Sequence, residues 1–403
     1  MDKLKESIGT LSNTEREALR NKLCNSKDKL KIRKVHNTLY EKKGTNTNSL
    51  KFSLFFFSDN GSHDNNGLYQ LLLESAKFAD ENKFHAFWVP ERHFHEFGGP
   101  YPNPSLLASA IATITKNIKL RAGSVVLPLH HPVRIAEEWS VADNLSNGRI
   151  GIACASGWHP GDFILTASSY EDRKNIFYKN LEIIKKLWSG EKLSFDAQDG
   201  SQNELEIFPK PIQKHLPIWL TSTTNSKTWE QAAILGANCL TGLMEQSIEE
   251  LKKKIKLYHE KLEECGHDPS TKEVTVMLHT YVGDDIHQVK EIVRQPLMNY
   301  LKMHMKLYES HLSKTGVKNT GIDLNLISEA DKQTLLEHGF ERYLNHSSFI
   351  GTKDTLLKIA RNLQEVGVTE IACLISFGLG THATMNSLEK LRDIKEQFMT
   401  DAF

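Results

Sequence analysis

The stretch IKLRAGSVVLPLHHPVRIAEEWSVADNLSNGRIGIACASG, residues 118–157, decides the fold class. Residues 118–128 form a short apolar run with β-branched positions, and Pro128 and Pro132 bound a turn. The segment VRIAEEWSVADNLSNG then shows helical apolar spacing and closes on Asn-Gly, a helix C-terminal signal. A second short apolar run, RIGIACA (149–155), follows at once. Strand, helix and strand with tight connections make a parallel βα unit, because a crossover helix is needed to bring the second strand beside the first in the same direction.

The pattern repeats on both sides. Apolar runs occur at 52–58, 85–90, 118–128, 149–155, 217–222, 237–242, 274–283 and 370–376, with helical segments between them. Eight such units predict an α/β fold of the (β/α)8 TIM-barrel type. A doubly wound open sheet gives the same alternation, and the count of eight favours the barrel. Two stretches exceed a minimal barrel. Residues 190–216, with KLSF and NELEIFPKP, predict a hairpin inserted after the fourth βα unit. Residues 285–350 predict a helical insertion after the seventh strand, carrying Met298, Tyr300, Met303 and Met305 near His304. Such an excursion reads as a lid or channel over the barrel mouth, with plain helical packing or a dimer contact as equal alternatives.

Residues 1–48 differ in texture, being rich in Lys, Glu and Asn. One amphipathic helix is expected at about 11–24, followed by the linker-like KKGTNTNS. The division expected is therefore an appendage over 1–48, partly helical or disordered, with docking to a partner protein as the alternative reading, and a barrel domain over 49–403.

The 403-residue chain is 39% hydrophobic and 25% charged, with 50 basic and 50 acidic side chains balancing to zero net charge. This gives no electrostatic case for binding nucleic acid or an anionic membrane. Five scattered cysteines without a C-x-x-C pair argue against a disulfide framework or zinc ribbon and fit a reducing cytoplasm. The charged N-terminus lacks the apolar core of a signal peptide, and no apolar run reaches the roughly 20 residues that span a bilayer.

Chemistry in a barrel sits where strands end. At the second strand's end, WVPERHFHEFGGPYPNP (88–104) holds Glu91, Arg92, His93 and His95. The H-x-H spacing of His93 and His95 suits metal-dependent hydrolases, but the fifth and sixth strands (IWLTS and CLTG) offer no histidine. The eighth ends in LISFGLG without a carboxylate, so a metal site is not expected. Gly123 and Ser124 permit close backbone approach to a flat ligand, with barrel packing as the bland alternative. His130 and His131 read as loop histidines. The small residues of ACASGWHPGDF (153–163) leave room for a ring. In LTSTTNSKTWEQAA (220–233), hydroxyls and Asn225 precede a helix whose N-terminus can hold a phosphate, with Lys227 nearby. No G-x-G-x-x-G or P-loop motif occurs.

ERHFHEFGG, LPLHHPVRIAEEWSVADNLSNGRIGIACASGWHPGDF, YEDR, LEIFPKPIQ and VGVTEIACLISFG, in this order, resemble the luciferase-like monooxygenases, most closely the branch associated with natural-product assembly lines. The resemblance runs from about residue 50 to the C-terminus. It implies a barrel that binds FMN as FMNH2, reacts it with O2 through a flavin C4a-peroxide and inserts one oxygen into an organic substrate, by hydroxylation or Baeyer–Villiger chemistry. It places the isoalloxazine against Gly123 and Ser124, often across a cis peptide, and along Ala155, Ser156 and Gly157. It places the phosphate at Ser222, Thr224, Asn225 and Thr228. His93 is the implied acid–base residue, with His95, His131 and His159 as second choices; the bland alternative for His93 is a loop histidine bonded to Glu91. Arg92 stands where bacterial luciferase has its catalytic histidine. An arginine cannot serve as a base at neutral pH, so it is expected to hold an anion or pair with Glu91. The reactive-cysteine position falls on Ala155, with Cys154 one place earlier, which disfavours light emission. The implied partners are a separate flavin reductase, a free or carrier-protein-bound substrate, and a second copy in a homodimer. The alternatives are a deazaflavin-dependent hydride-transfer enzyme on the same fold, or a non-catalytic flavin-binding or docking barrel.

Overall fold

The computed structural model describes residues 50–57, 69–94, 100–197, 199–315 and 329–400. The helix expected at about 11–24, the appendage over 1–48 and His95 lie outside the described residues. Eight parallel strands close on themselves. These are β1 (Lys51–Phe55), β2 (Ala86–Val89), β3 (Lys119–Val126), β4 (Ile150–Ala155), β7 (Ile218–Thr221), β8 (Asn238–Gly242), β9 (Val274–Gly283) and β11 (Glu370–Leu374), which returns to β1. Each falls on one of the eight apolar runs. The TIM barrel is thus as expected, because strands buried on both faces read as near-continuous apolar runs. In β2, for example, Ala86, Phe87, Trp88 and Val89 are all buried.

Helices α1 (Gln70–Glu81), α2 (Pro104–Ala112), α3 (Pro132–Ser146), α4 (Arg173–Trp188), α5 (Ser226–Ile234) and α6 (Ile248–Glu264) wrap the outside in chain order. The quoted unit shows how local chemistry sets their ends. Pro132 starts α3, where a missing N–H costs nothing, and Asn147 (φ +57°) ends it in the left-handed region before Gly148. The hairpin expected over 190–216 is β5 (Leu193–Asp196) antiparallel to β6 (Gln202–Leu205).

The insertion after β9 holds α7 (Ile286–Thr315) and α8 (Glu329–His346). It is not helical throughout: β10 (Phe349–Thr352) pairs with Thr280–Gly283, the half of β9 that extends beyond its pairing with β11. Four residues behind a long helix carry too little periodicity to announce a strand. Helix α9 (Lys353–Glu365) precedes β11, and α10 (Thr381–Thr400) closes the described chain.

Val289, Val293, Leu297 and Tyr300 of α7 share one buried cluster with Phe340 and Tyr343 of α8 and with Phe55, Trp88 and Trp219 inside the barrel. The insertion therefore packs over the C-terminal end of the barrel, and its apolar contacts continue the barrel core. The opposite end is closed by charge. Buried Arg121 donates to Glu370 (2.7 Å) and Glu273 (3.0 Å) and lies over the Trp219 ring at 4.1 Å. Ser53, Trp88 and Thr275 also donate to Glu370. Fully bonded in this way, a buried ion pair is tolerated in the core; losing one partner would strand the other.

Candidate active site

Pro90 ends β2, and the following loop is pinned where the Arg92 N–H donates to the Tyr101 carbonyl at 2.9 Å. This turns the Glu91 carboxylate inward. Its Oε2 accepts the Val126 N–H at 2.8 Å, and its Oε1 accepts from His93 Nε2 at 2.8 Å and His130 Nε2 at 2.5 Å. A single 3-10 turn at Leu127–Leu129 brings His130 back over β2. The Glu91 side chain is fully buried. Burial alone would raise its pKa, but the bonds from His130 and His93 more than offset this and hold it below the usual carboxylate range. Burial likewise opposes charge on His130, yet the Glu91 bond and charge leave its pKa raised.

The pairing expected of Glu91 is thus realised with His93 and not with Arg92. The Arg92 guanidinium lies over Phe57 at 3.8 Å from the ring centroid. Burial pushes its pKa down to about 10 despite the opposing influence of Tyr300 and Asp162, so it stays charged at neutral pH. Buried His159 faces Asp162 at 3.3 Å, beside half-exposed Trp158. His131 is exposed and lies against Phe195 of the hairpin, 5.9 Å between centroids, away from this cluster. The histidine that sequence reasoning passed over, His130, is the one at the site. The adjacent pair His130-His131 marked the region without saying which ring turns inward.

Gly123 and Ser124 are joined by a cis peptide, as the resemblance implied. Gly123 also meets the packing alternative, since a Cβ there would come within 2.6 Å of the Phe55 ring. Ser124 Oγ lies 2.6 Å from Thr221 Oγ1, linking β3 to the end of β7, where Ser222 begins the hydroxyl-rich loop. Asn225 caps α5 by accepting the Lys227 N–H at 3.1 Å. Thr224 and Asn225 are exposed and Thr228 is half-buried at this helix start. Ala155, Ser156 and Gly157 continue from β4. Gly157 takes φ +80°, and a Cβ on it would stand 3.0 Å from Val126, the residue that anchors Glu91. The expected ring-lining and phosphate-holding residues and the Glu91 cluster therefore meet at one barrel mouth.

These residues fit FMN. The capped, hydroxyl-rich helix start suits a dianionic phosphate. The small residues at 155–157 leave backbone accessible to a planar ring, and the Ser124–Thr221 contact puts the two places side by side. A metal fits less well. Glu91, His93 and His130 bring donor atoms within 4.8 Å, but the shared carboxylate oxygen is already at hydrogen-bonding distance from both imidazole nitrogens. Among the described residues a second such cluster, His85, Glu273 and Glu370, surrounds the Arg121 guanidinium. Among the described residues no helix is long and apolar enough to cross a membrane.

The chain is 23% identical to the oxygenase component of the flavin-dependent trigonelline monooxygenase of Acinetobacter baylyi, over 85% of this chain and 93% of that protein. It is 26% identical to an alkanal monooxygenase alpha chain of Aliivibrio fischeri, over 72% and 82%. The crystal structure of monooxygenase RslO1 from Streptomyces bottropensis superimposes with a TM-score of 0.70 at 19% identity, covering 85% of this chain and 98% of that one. The family model described as luciferase-like monooxygenase matches residues 50–370, which include β1 to β10, the first residue of β11 and every part of the mouth described above. This chain belongs to the luciferase-like monooxygenases.

Proposed function

We propose that this protein is the oxygenase of a two-component system, using FMNH2 from a separate reductase and O2 to oxidise a natural-product intermediate, free or tethered to a carrier protein. The observation that supports it most is the mouth itself: a phosphate-suited helix start and a buried carboxylate–imidazole cluster flank Gly123 and Ser124. Reduced flavin, when bound, supplies the electrons that activate O2 for hydroxylation or Baeyer–Villiger insertion.

The residues divide the remaining work. Ser222, Thr224, Asn225 and Thr228 hold the phosphate, and Gly123, Ser124, Ala155, Ser156 and Gly157 line the ring. His93 gives or takes a proton, since imidazole changes charge near neutral pH. Arg92, unable to act as a base, holds an anionic group. The packed insertion helps keep the mouth dry. In this reading 49–403 is the catalytic domain, 1–48 an appendage, and the active species a homodimer.

Anaerobic titration with FMNH2 and with reduced deazaflavin, followed by 18O2 and candidate free and carrier-bound substrates, tests the proposal. Selective FMNH2 binding and one 18O atom in the product are expected. Deazaflavin-dependent hydride transfer without 18O would establish the alternative chemistry, and binding of neither cofactor would leave a docking barrel.

A further inference from the structure

We infer that Glu91 is a positioning residue that couples His130 to His93, so that the two imidazoles act as one proton-carrying unit at the barrel mouth. The role of that unit in turnover rests on the proposed oxygenase function; its existence does not. The geometry carries it. One carboxylate oxygen accepts from both Nε2 atoms while the other is anchored to the Val126 N–H of β3. A carboxylate is only an acceptor, so both rings must carry hydrogen on Nε2. Nδ1 is left on each ring as the atom that exchanges a proton with a bound molecule or with solvent.

The backbone that carries the second ring is also tied down. The His130 N–H donates to the Leu127 carbonyl at 3.3 Å, and Asn180 of α4 donates to both the His130 and Leu127 carbonyls. Three separate elements, the β2 loop, the end of β3 and α4, therefore build the arrangement. His93 is the inner ring, with 10% of its side chain exposed against 28% for His130. The ring centroids are 6.5 Å apart.

Charge limits the unit to one extra proton. A single buried carboxylate balances one imidazolium, and a second would repel the first. The groups facing the unit support that count. Glu138 of α3 adds negative charge on the His130 side, although Arg134 and Ser105 already bond it. Arg92, next to Glu91 in the chain, turns its guanidinium onto Phe57, where Asp162 offsets its charge in part. The unit then titrates in two coupled steps that belong to the pair. In the step proposed, one Nδ1–H bond breaks and one bond from hydrogen to a basic oxygen or nitrogen of the bound molecule forms. The electron pair stays on Nδ1, and solvent then returns one proton to an Nδ1 of the unit, restoring its single positive charge.

Long-range 1H–15N NMR of the 15N-histidine-labelled full chain, without cofactor, tests this over pH 5–9. The expected result is two histidines in the Nε2–H form that titrate in two coupled steps, one of them binding its proton more tightly than an ordinary histidine. Glu91→Gln removes the charge but keeps the shape, and should cost that step tenfold or more in proton affinity. In turnover with FMNH2, the alkaline limb of kcat should move with it while KM for substrate changes little. Two independent steps at ordinary histidine values in the unsubstituted protein overturn the inference, even if Glu91→Gln does not fold. So does an unchanged titration and pH profile in a folded Glu91→Gln protein that binds FMNH2. Coupled titration in a protein that binds no FMNH2 would keep the unit and remove the oxygenase reading.

Discussion

The Ser124 hydroxyl stands 2.6 Å from the Thr221 hydroxyl, spanning β4 to tie the end of β3 to the end of β7. One hydrogen bond thus joins the ring-lining pair to the start of the phosphate loop. Ser124→Ala should lower FMNH2 affinity about twofold to tenfold, the range expected for one hydrogen bond of about 0.5–1.5 kcal/mol. Anaerobic fluorescence titration reads this directly, and unchanged affinity would separate the two binding places.

Asn225 caps α5 at the proposed phosphate end. Asn225→Ala should cost about 0.5–2 kcal/mol of stability through the lost cap. It should also shrink the preference for FMN over riboflavin, because only FMN carries the phosphate. A protein that weakens both ligands equally would place the phosphate elsewhere.

Arg92 combines an apolar stacking partner with a retained charge. If it holds an anionic substrate group, Arg92→Lys should lower kcat/KM roughly tenfold to a hundredfold, since hydrogen bonds to charged groups contribute about 1.5–3 kcal/mol and an ammonium lacks the planar fork. The loss should be smaller for a neutral amide of the same substrate. Equal losses for both would point to a role in packing.

Arg121 neutralises Glu370 and Glu273 at the closed end of the barrel. Arg121→Met leaves Glu370 buried with its charge uncompensated and should cost about 3–5 kcal/mol, measured by urea unfolding. A near-neutral effect would mean that Glu370 takes up a proton in the variant, which its pH dependence would reveal.

The pH dependence of stability follows from the same groups. Glu91, Glu273 and Glu370 all have folded pKa values below the ordinary 4.5, despite burial that acts the other way. Their contribution is fully present above that value and is lost as pH falls through the folded values. His85, lowered by burial below 6.5, adds to the acid-side loss. His130 has the opposite sign: its raised pKa contributes below 6.5 and fades as pH rises through the folded value. Urea midpoints should therefore fall steeply below about pH 4.5 and gently above neutrality. A flat acid limb would contradict the ionised carboxylates.

The insertion shows where local reading stops. Its helices are visible as long periodic segments, but β10 is four residues long and exists because β9 extends past β11 and offers it a free edge. The same limit applies at the site. His131 and His130 are equivalent as local sequence, and only the turn at Leu127–Leu129 sends one inward to Glu91 and the other out to Phe195.

Apolar runs, helical spacing and helix-end residues are short-range properties, so the sequence alone determined the eight βα units, the hairpin and the family resemblance. The tertiary structure decided which side chains converge. Glu91, His93 and His130 meet because β2 and β3 are neighbours in parallel register, and Ser124 meets Thr221 because barrel closure brings their strand ends to one mouth. Neither contact has a local signal, since register and closure are set by the packing of all eight strands together.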